Sequence, residues 1–134
     1  MSEQDDVRTV QEIYAAFGRG DIPSILNVVS PNVEWFNAGP TEIPYAGRRR
    51  GLDEVKEFFQ TLYAMVEPDE FEPQEYLAQG DRVIVLGRWS GRSKTTGRAF
   101  ESAWAMAWTL QNGKVTSFRS YEDTEAVAAA FRQA

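Results

Sequence analysis

Apolar positions along the chain follow two repeats, one helical and one of period two, and their order sets the expected architecture. Over residues 3–18, Val7, Val10, Ile13, Tyr14 and Phe17 recur at helical spacing against a charged opposite face, predicting an amphipathic helix that stops near Gly18 and Gly20. Asp21 predicts the cap of a second helix, with Pro23 in its first turn and Ile25, Leu26, Val28 and Val29 on its buried side; Ser30-Pro31-Asn32 ends it. Val33 and Trp35 alternate with Glu34 and Phe36, the mark of a short strand. A loop follows over residues 37–50, holding Gly39-Pro40, Pro44 and Gly47. Leu52, Val55, Phe58, Phe59 and Leu62 restore helical spacing over residues 51–65, and Pro68 breaks it.

From there the period is two. Residues 71–79 predict a strand joined through Gly80-Asp81 to the β-prone run over 82–89, and a polar turn over 92–97 leads into a long hairpin over residues 101–122. Its turn is Asn112-Gly113, a pair that tolerates the positive φ values of a two-residue type I′ turn. Counting outward pairs Gln111 with Lys114, Trp108 with Ser117, Met106 with Arg119 and Trp104 with Tyr121, all on one side of the sheet. The other side then carries Ala103, Ala105, Ala107 and Thr109 beside Thr116, Phe118 and Ser120. A short helix over residues 124–134 closes the chain, capped by Asp123 or Thr124.

Helices followed by a run of strands predict an α+β fold, with helices on one face of a curved antiparallel sheet and a conical space between them. The 134 residues, 43% of them hydrophobic, fit one domain over residues 1–134. The net charge of −6 argues against a nucleic-acid or anionic-membrane partner, and Arg48, Arg49 and Arg50 read as a solvated loop. Cysteine and histidine are absent, which removes thiol nucleophiles, disulfides, Ser-His-Asp triads and imidazole metal sites. No metal or cofactor is expected, and acid–base work falls to Asp, Glu, Tyr, Lys or Arg. The acidic N-terminus and the lack of a run of roughly 20 apolar residues imply a soluble cytoplasmic protein.

Particular residues carry a family resemblance. Tyr14-Ala15-Ala16-Phe17 leading to Gly20-Asp21, Asn32-Val33-Glu34-Trp35, Pro44-Tyr45-Ala46-Gly47, Gly51 with Val55 and Phe58-Phe59, Gly80-Asp81-Arg82-Val83, Thr96-Gly97-Arg98, and Gly113-Lys114 running to Tyr121-Glu122-Asp123-Thr124 span nearly the whole chain. In order and spacing they resemble the nuclear-transport-factor-like cone fold, and within it the SnoaL-like group of polyketide cyclases and ketosteroid isomerase relatives. The resemblance implies a cone-shaped pocket for a small hydrophobic or aromatic ligand, and a homodimer through the outer sheet face.

Family chemistry does not transfer with it, since one fold hosts many functions. Ketosteroid isomerases use an aspartate base and an oxyanion hole made of a tyrosine and a protonated aspartic acid. Those positions fall here at Trp35, Ile13 and Met106, with Tyr14 one residue from the tyrosine position. In SnoaL-type cyclases a pocket histidine corresponds to Met106 and an acid–base aspartate to Tyr121. Epoxide hydrolases of this fold need an Asp-Arg-Asp arrangement, for which Arg119 is the one match.

The remaining candidates are therefore read from the hairpin. Trp35, Tyr45, Trp104, Met106 and Trp108 are expected to line a ligand pocket or to fill a core. Arg119 and Tyr121 are expected to hold a carbonyl or enolate oxygen, and Asp123 to act as a base for isomerase- or cyclase-like proton transfer, against its simpler reading as a helix cap. A non-catalytic module that binds a small ligand or another protein is the alternative.

Overall fold

The computed structural model describes residues 2–132 and orders the chain as α1 (Glu3–Arg19), α2 (Ile22–Leu26), β1 (Val29–Asn37), β2 (Gly47–Arg50), α3 (Gly51–Met65), β3 (Val66–Gln79), β4 (Arg82–Ser93), β5 (Ala99–Gln111), β6 (Lys114–Glu122) and α4 (Thr124–Phe131). The last two positions of the predicted closing helix lie outside the described residues. Ser2 and Asp5 form a reciprocal capping box at the start of α1, and Gly20 ends the helix at φ 70°, a left-handed conformation that glycine adopts without a Cβ clash.

Six strands form one curled mixed sheet in the order β2-β1-β6-β5-β4-β3. The meander β3–β6 is antiparallel as expected, but β1 runs parallel to β6. Two predicted loops are strand instead. Ser30-Pro31-Asn32 lies inside β1, in an irregular stretch between its pairings at Val29 and Glu34, where the missing proline N–H breaks no ladder bond. Arg48–Arg50 belongs to β2, which pairs antiparallel with β1 and sets Arg50 3.0 Å from Glu34. Strand β3 also starts earlier than predicted, at Val66. Pro68 does not stop it, because β3 is an edge strand and irregular pairings follow both Pro68 and Pro73.

The concave face of the sheet is built in rows that the register defines. One row runs Trp35–Phe118–Trp108–Val83–Ala78, the next Asn37–Ser120–Met106–Val85–Tyr76, and a third Glu122–Trp104–Gly87–Pro73. Val10 and Ile13 of α1 and Val55, Phe58 and Phe59 of α3 are buried within the same core as these rows. Rings meet closely there: Trp35 stacks on Phe118 with centroids 4.1 Å apart, and Trp104 on Phe71 at 5.0 Å. No helix among the described residues is long and apolar enough to cross a membrane.

Candidate functional site

The face on which each hairpin side chain lies depends on one residue. Leu110 pairs with Val115 but Thr109 pairs with Ser117, so Thr116 is an extra residue in β6, a β-bulge. Beyond the bulge the register is shifted by one from the simple count, and side-chain period two turns that shift into an exchange of faces. Trp104 therefore pairs with Glu122, Met106 with Ser120 and Trp108 with Phe118.

This corrects the predicted constellation. Arg119 and Tyr121 stand on the outer face, paired with Ala107 and Ala105, with Tyr121 44% exposed. Arg119 lies over the Phe36 ring, 5.7 Å from its centroid, and is exposed. Asp123 is exposed and caps α4, accepting the Ala126 N–H at 3.1 Å. None of the three lines the cavity. The signal for the bulge was present: Val115 and Phe118 are both buried yet three residues apart, a spacing that one face of a regular strand cannot hold.

Trp35, Tyr45, Trp104, Met106 and Trp108 do come together, around a cavity of about 60 Å³ between the helices and the concave sheet. Tyr14, Asn37, Phe71, Trp89, Ser120 and Glu122 join them, all outside the predicted site. Tyr14 reaches in from α1: its hydroxyl donates to the Met106 sulfur at 3.2 Å and accepts the Trp108 indole N–H at 3.0 Å. Burial pushes its phenol above the ordinary range, so it stays a neutral hydrogen-bonding group.

The polar groups of the cavity occupy neighbouring positions on three adjacent strands. Asn37 and Ser120 are register partners, and the Asn37 amide donates to the Ser120 hydroxyl at 2.9 Å. Two residues along β6, the Glu122 carboxylate accepts the Tyr45 hydroxyl at 2.7 Å and the Trp89 indole N–H at 2.9 Å. Three further polar atoms find no protein partner: Trp35 Nε1, Asn37 Oδ1 and Trp104 Nε1. Their residues are only 2–4% exposed, and an unpaired buried polar group typically costs about 1–3 kcal/mol.

Burial pushes the Glu122 carboxyl above the usual carboxylate range; its two donors pull the other way, and neighbouring Asp123 adds to the rise. The native protein thus keeps this proton to higher pH than the unfolded chain. Its stabilising effect is present below the unfolded value of 4.5 and is lost as pH rises through the native one. Glu122→Gln stays neutral throughout. Its urea midpoint relative to the parent protein should therefore climb as pH rises above the unfolded value of 4.5 and level off once the native carboxyl has ionised. Parallel midpoints throughout would show that Glu122 titrates normally.

Among the described residues no cluster of three or more His, Cys, Asp or Glu is arranged to hold a metal ion. The site is an aromatic cone with one half-buried carboxyl and a short row of neutral hydrogen-bonding groups. Helices closed over a curled sheet around such a cavity define the NTF2-like cone class of proteins. Within that class the chain belongs to the SnoaL-like domain family, whose model matches residues 10–118.

The relatives agree in shape over full length. An NTF2-like protein from Burkholderia xenovorans LB400 is 42% identical with a TM-score of 0.91, over 98% of this chain and 99% of its own. TerC, co-crystallised with polyporic acid, is 26% identical with a TM-score of 0.84, over 96% and 99% of the two chains. By sequence, the chain is 24% identical over 131 residues, 98% of each protein, to an uncharacterized protein of Mycobacterium tuberculosis H37Rv.

Proposed function

We propose that the protein binds a small, largely apolar molecule inside the cone and that Glu122 exchanges a proton with it, in isomerase- or cyclase-like chemistry. The observation that carries this reading is the set of unpartnered polar atoms on the cavity lining, two indole N–H donors and one amide oxygen. A core built only for packing gains nothing from leaving them unpaired, whereas a polar group on a ligand offers a partner to those within its reach. Glu122 is the one cavity group whose ordinary titration lies in the acidic range, and burial raises it, the direction a general acid–base requires. The likeness to TerC, crystallised with polyporic acid, supports a small-molecule ligand. The same reading assigns the outer face, where Leu77, Leu86 and Tyr121 are exposed, to a second copy of the chain.

Tryptophan fluorescence tests the pocket. Titration with a panel of aromatic ketones and phenols should give saturable quenching that is reduced in Trp104→Phe. With a substrate in hand, Glu122→Gln should lower turnover about 10²–10⁴-fold while binding changes little. Full turnover in that variant would remove the proton-transfer role. A flat response across the panel, with Trp104→Phe more stable than the parent, would mark the cone as packed core.

A further inference from the structure

We propose that the ligand of the cone is an organic cation, a tertiary ammonium compound seated among the aromatic rings with Glu122 as its counter-charge. This rests on the reading that the cone is a ligand cavity, and adds the charge class of what fills it. Of the seventeen side chains lining the cavity, eleven are aromatic, one is a carboxylate and none is a lysine or arginine. Ring faces carry negative quadrupole charge, and closely grouped Trp, Tyr and Phe rings are the usual receptors for ammonium groups. An anionic ligand would meet those faces, and Glu122, as repulsion.

Glu122 supplies the second observation. The groups facing it are the Tyr45 hydroxyl, the Trp89 indole and, next along the chain, the like charge of Asp123. Among the described residues it has no ion-pair partner, although six such pairs form elsewhere on the molecule. Once ionised, this half-buried carboxylate has two hydrogen-bond donors but no counter-charge within the protein, and a cationic ligand supplies one. Asn37 Oδ1, in a residue 97% buried, is a free acceptor for an ammonium N–H in the neighbouring row.

The approach to the cavity carries the same sign. Tyr14, Phe17 and Phe71 line both the cavity and a cleft of about 520 Å³ between the end of α1 and β3. Asp69 and Glu70 border that cleft, while its one arginine, Arg19, is engaged by Asp21 at 3.5 Å. With a chain charge of −6 behind it, this mouth draws cations and turns anions away. The cavity takes the ammonium head, and the larger cleft has room for the body of the molecule.

A pair of probes of equal shape separates charge from hydrophobicity: phenyltrimethylammonium and tert-butylbenzene, each titrated against the whole protein by tryptophan fluorescence. The cation should bind at least tenfold more tightly, and its affinity should rise with pH as Glu122 ionises. Glu122→Gln should lose that preference and the pH dependence while tert-butylbenzene binding stays as it was. Equal or weaker binding of the cation overturns the charge assignment and leaves the ligand cavity standing. Binding of neither probe, with no change in fluorescence, overturns both.

Discussion

Inserting one glycine between Ser117 and Phe118 is expected to abolish the folded state. The two-residue turn at Asn112-Gly113, with φ of 52° and 78°, and the pairs Leu110–Val115 and Thr109–Ser117 fix the hairpin up to that point, so the added residue shifts every later pairing of β6 by one. Phe118, now 3% exposed, would move to the outer face opposite Ala107, and Arg119 would enter the aromatic interior opposite Met106. Exposing a phenylalanine costs about 1.5–3 kcal/mol, and burying an unpaired guanidinium costs several kcal/mol more. Together with the lost Asn37–Ser120 hydrogen bond, this approaches the roughly 5–15 kcal/mol that holds a typical domain together. Near-ultraviolet circular dichroism of the tryptophans should vanish, along with any cooperative melt. Deleting Thr116 instead closes the bulge: Ser117 then follows Val115 and still faces Thr109, every later residue keeps its side, and the variant should fold. A native-like melt from the insertion variant would mean that the register of the hairpin does not set the face of β6.

The second large effect is expected at Gly87. A Cβ there would lie 2.4 Å from the Glu72 carbonyl oxygen on β3 and 2.4 Å from the Trp104 ring, so strand and indole both occupy the space a side chain needs. One is backbone and the other is wedged against Phe71, so neither yields cheaply. Gly87→Val should cost about 3 kcal/mol or more, at or beyond the upper end for overpacking. Urea denaturation reads the stability loss directly. Because Trp104 must be displaced, ligand quenching should fall in the same variant even under conditions where it remains folded. An unchanged midpoint would mean that β3 and Trp104 can move apart without cost.

These two positions also mark where the sequence is hard to read. Helices α1 and α3, the hairpin turn and the strand meander follow from spacing and turn chemistry acting over a few residues, and the chain shows all of them. Which face a hairpin residue occupies is a parity count, and a single inserted residue inverts every assignment after it. Arg119 and Tyr121 lie on the outer face for that reason, with Asp123 beyond them at the cap of α4, and Ser120 and Glu122 take the cavity side in their place. On β5, before the bulge, Trp104, Met106 and Trp108 keep the expected face and line the cavity. Tyr14 was passed over on different grounds: the resemblance points to Ile13, yet the bearing of α1 carries the neighbouring hydroxyl to Met106 and Trp108. Asn37 lies at the last residue of β1, read from sequence as the start of a loop, and only its pairing with Ser120 in a parallel ladder brings it inside. Contacts across 83 residues, such as that one, leave no trace in local pattern.

The two borders of the sheet have a bearing on solubility. At one border β2 offers only four residues, three of them arginines; at the other β3 lacks two N–H donors at Pro68 and Pro73 and is irregular after each. An incoming strand would find too short a ladder on one side and a broken one on the other. Runaway polymerisation by strand addition is thereby disfavoured in a molecule that is otherwise largely β-sheet.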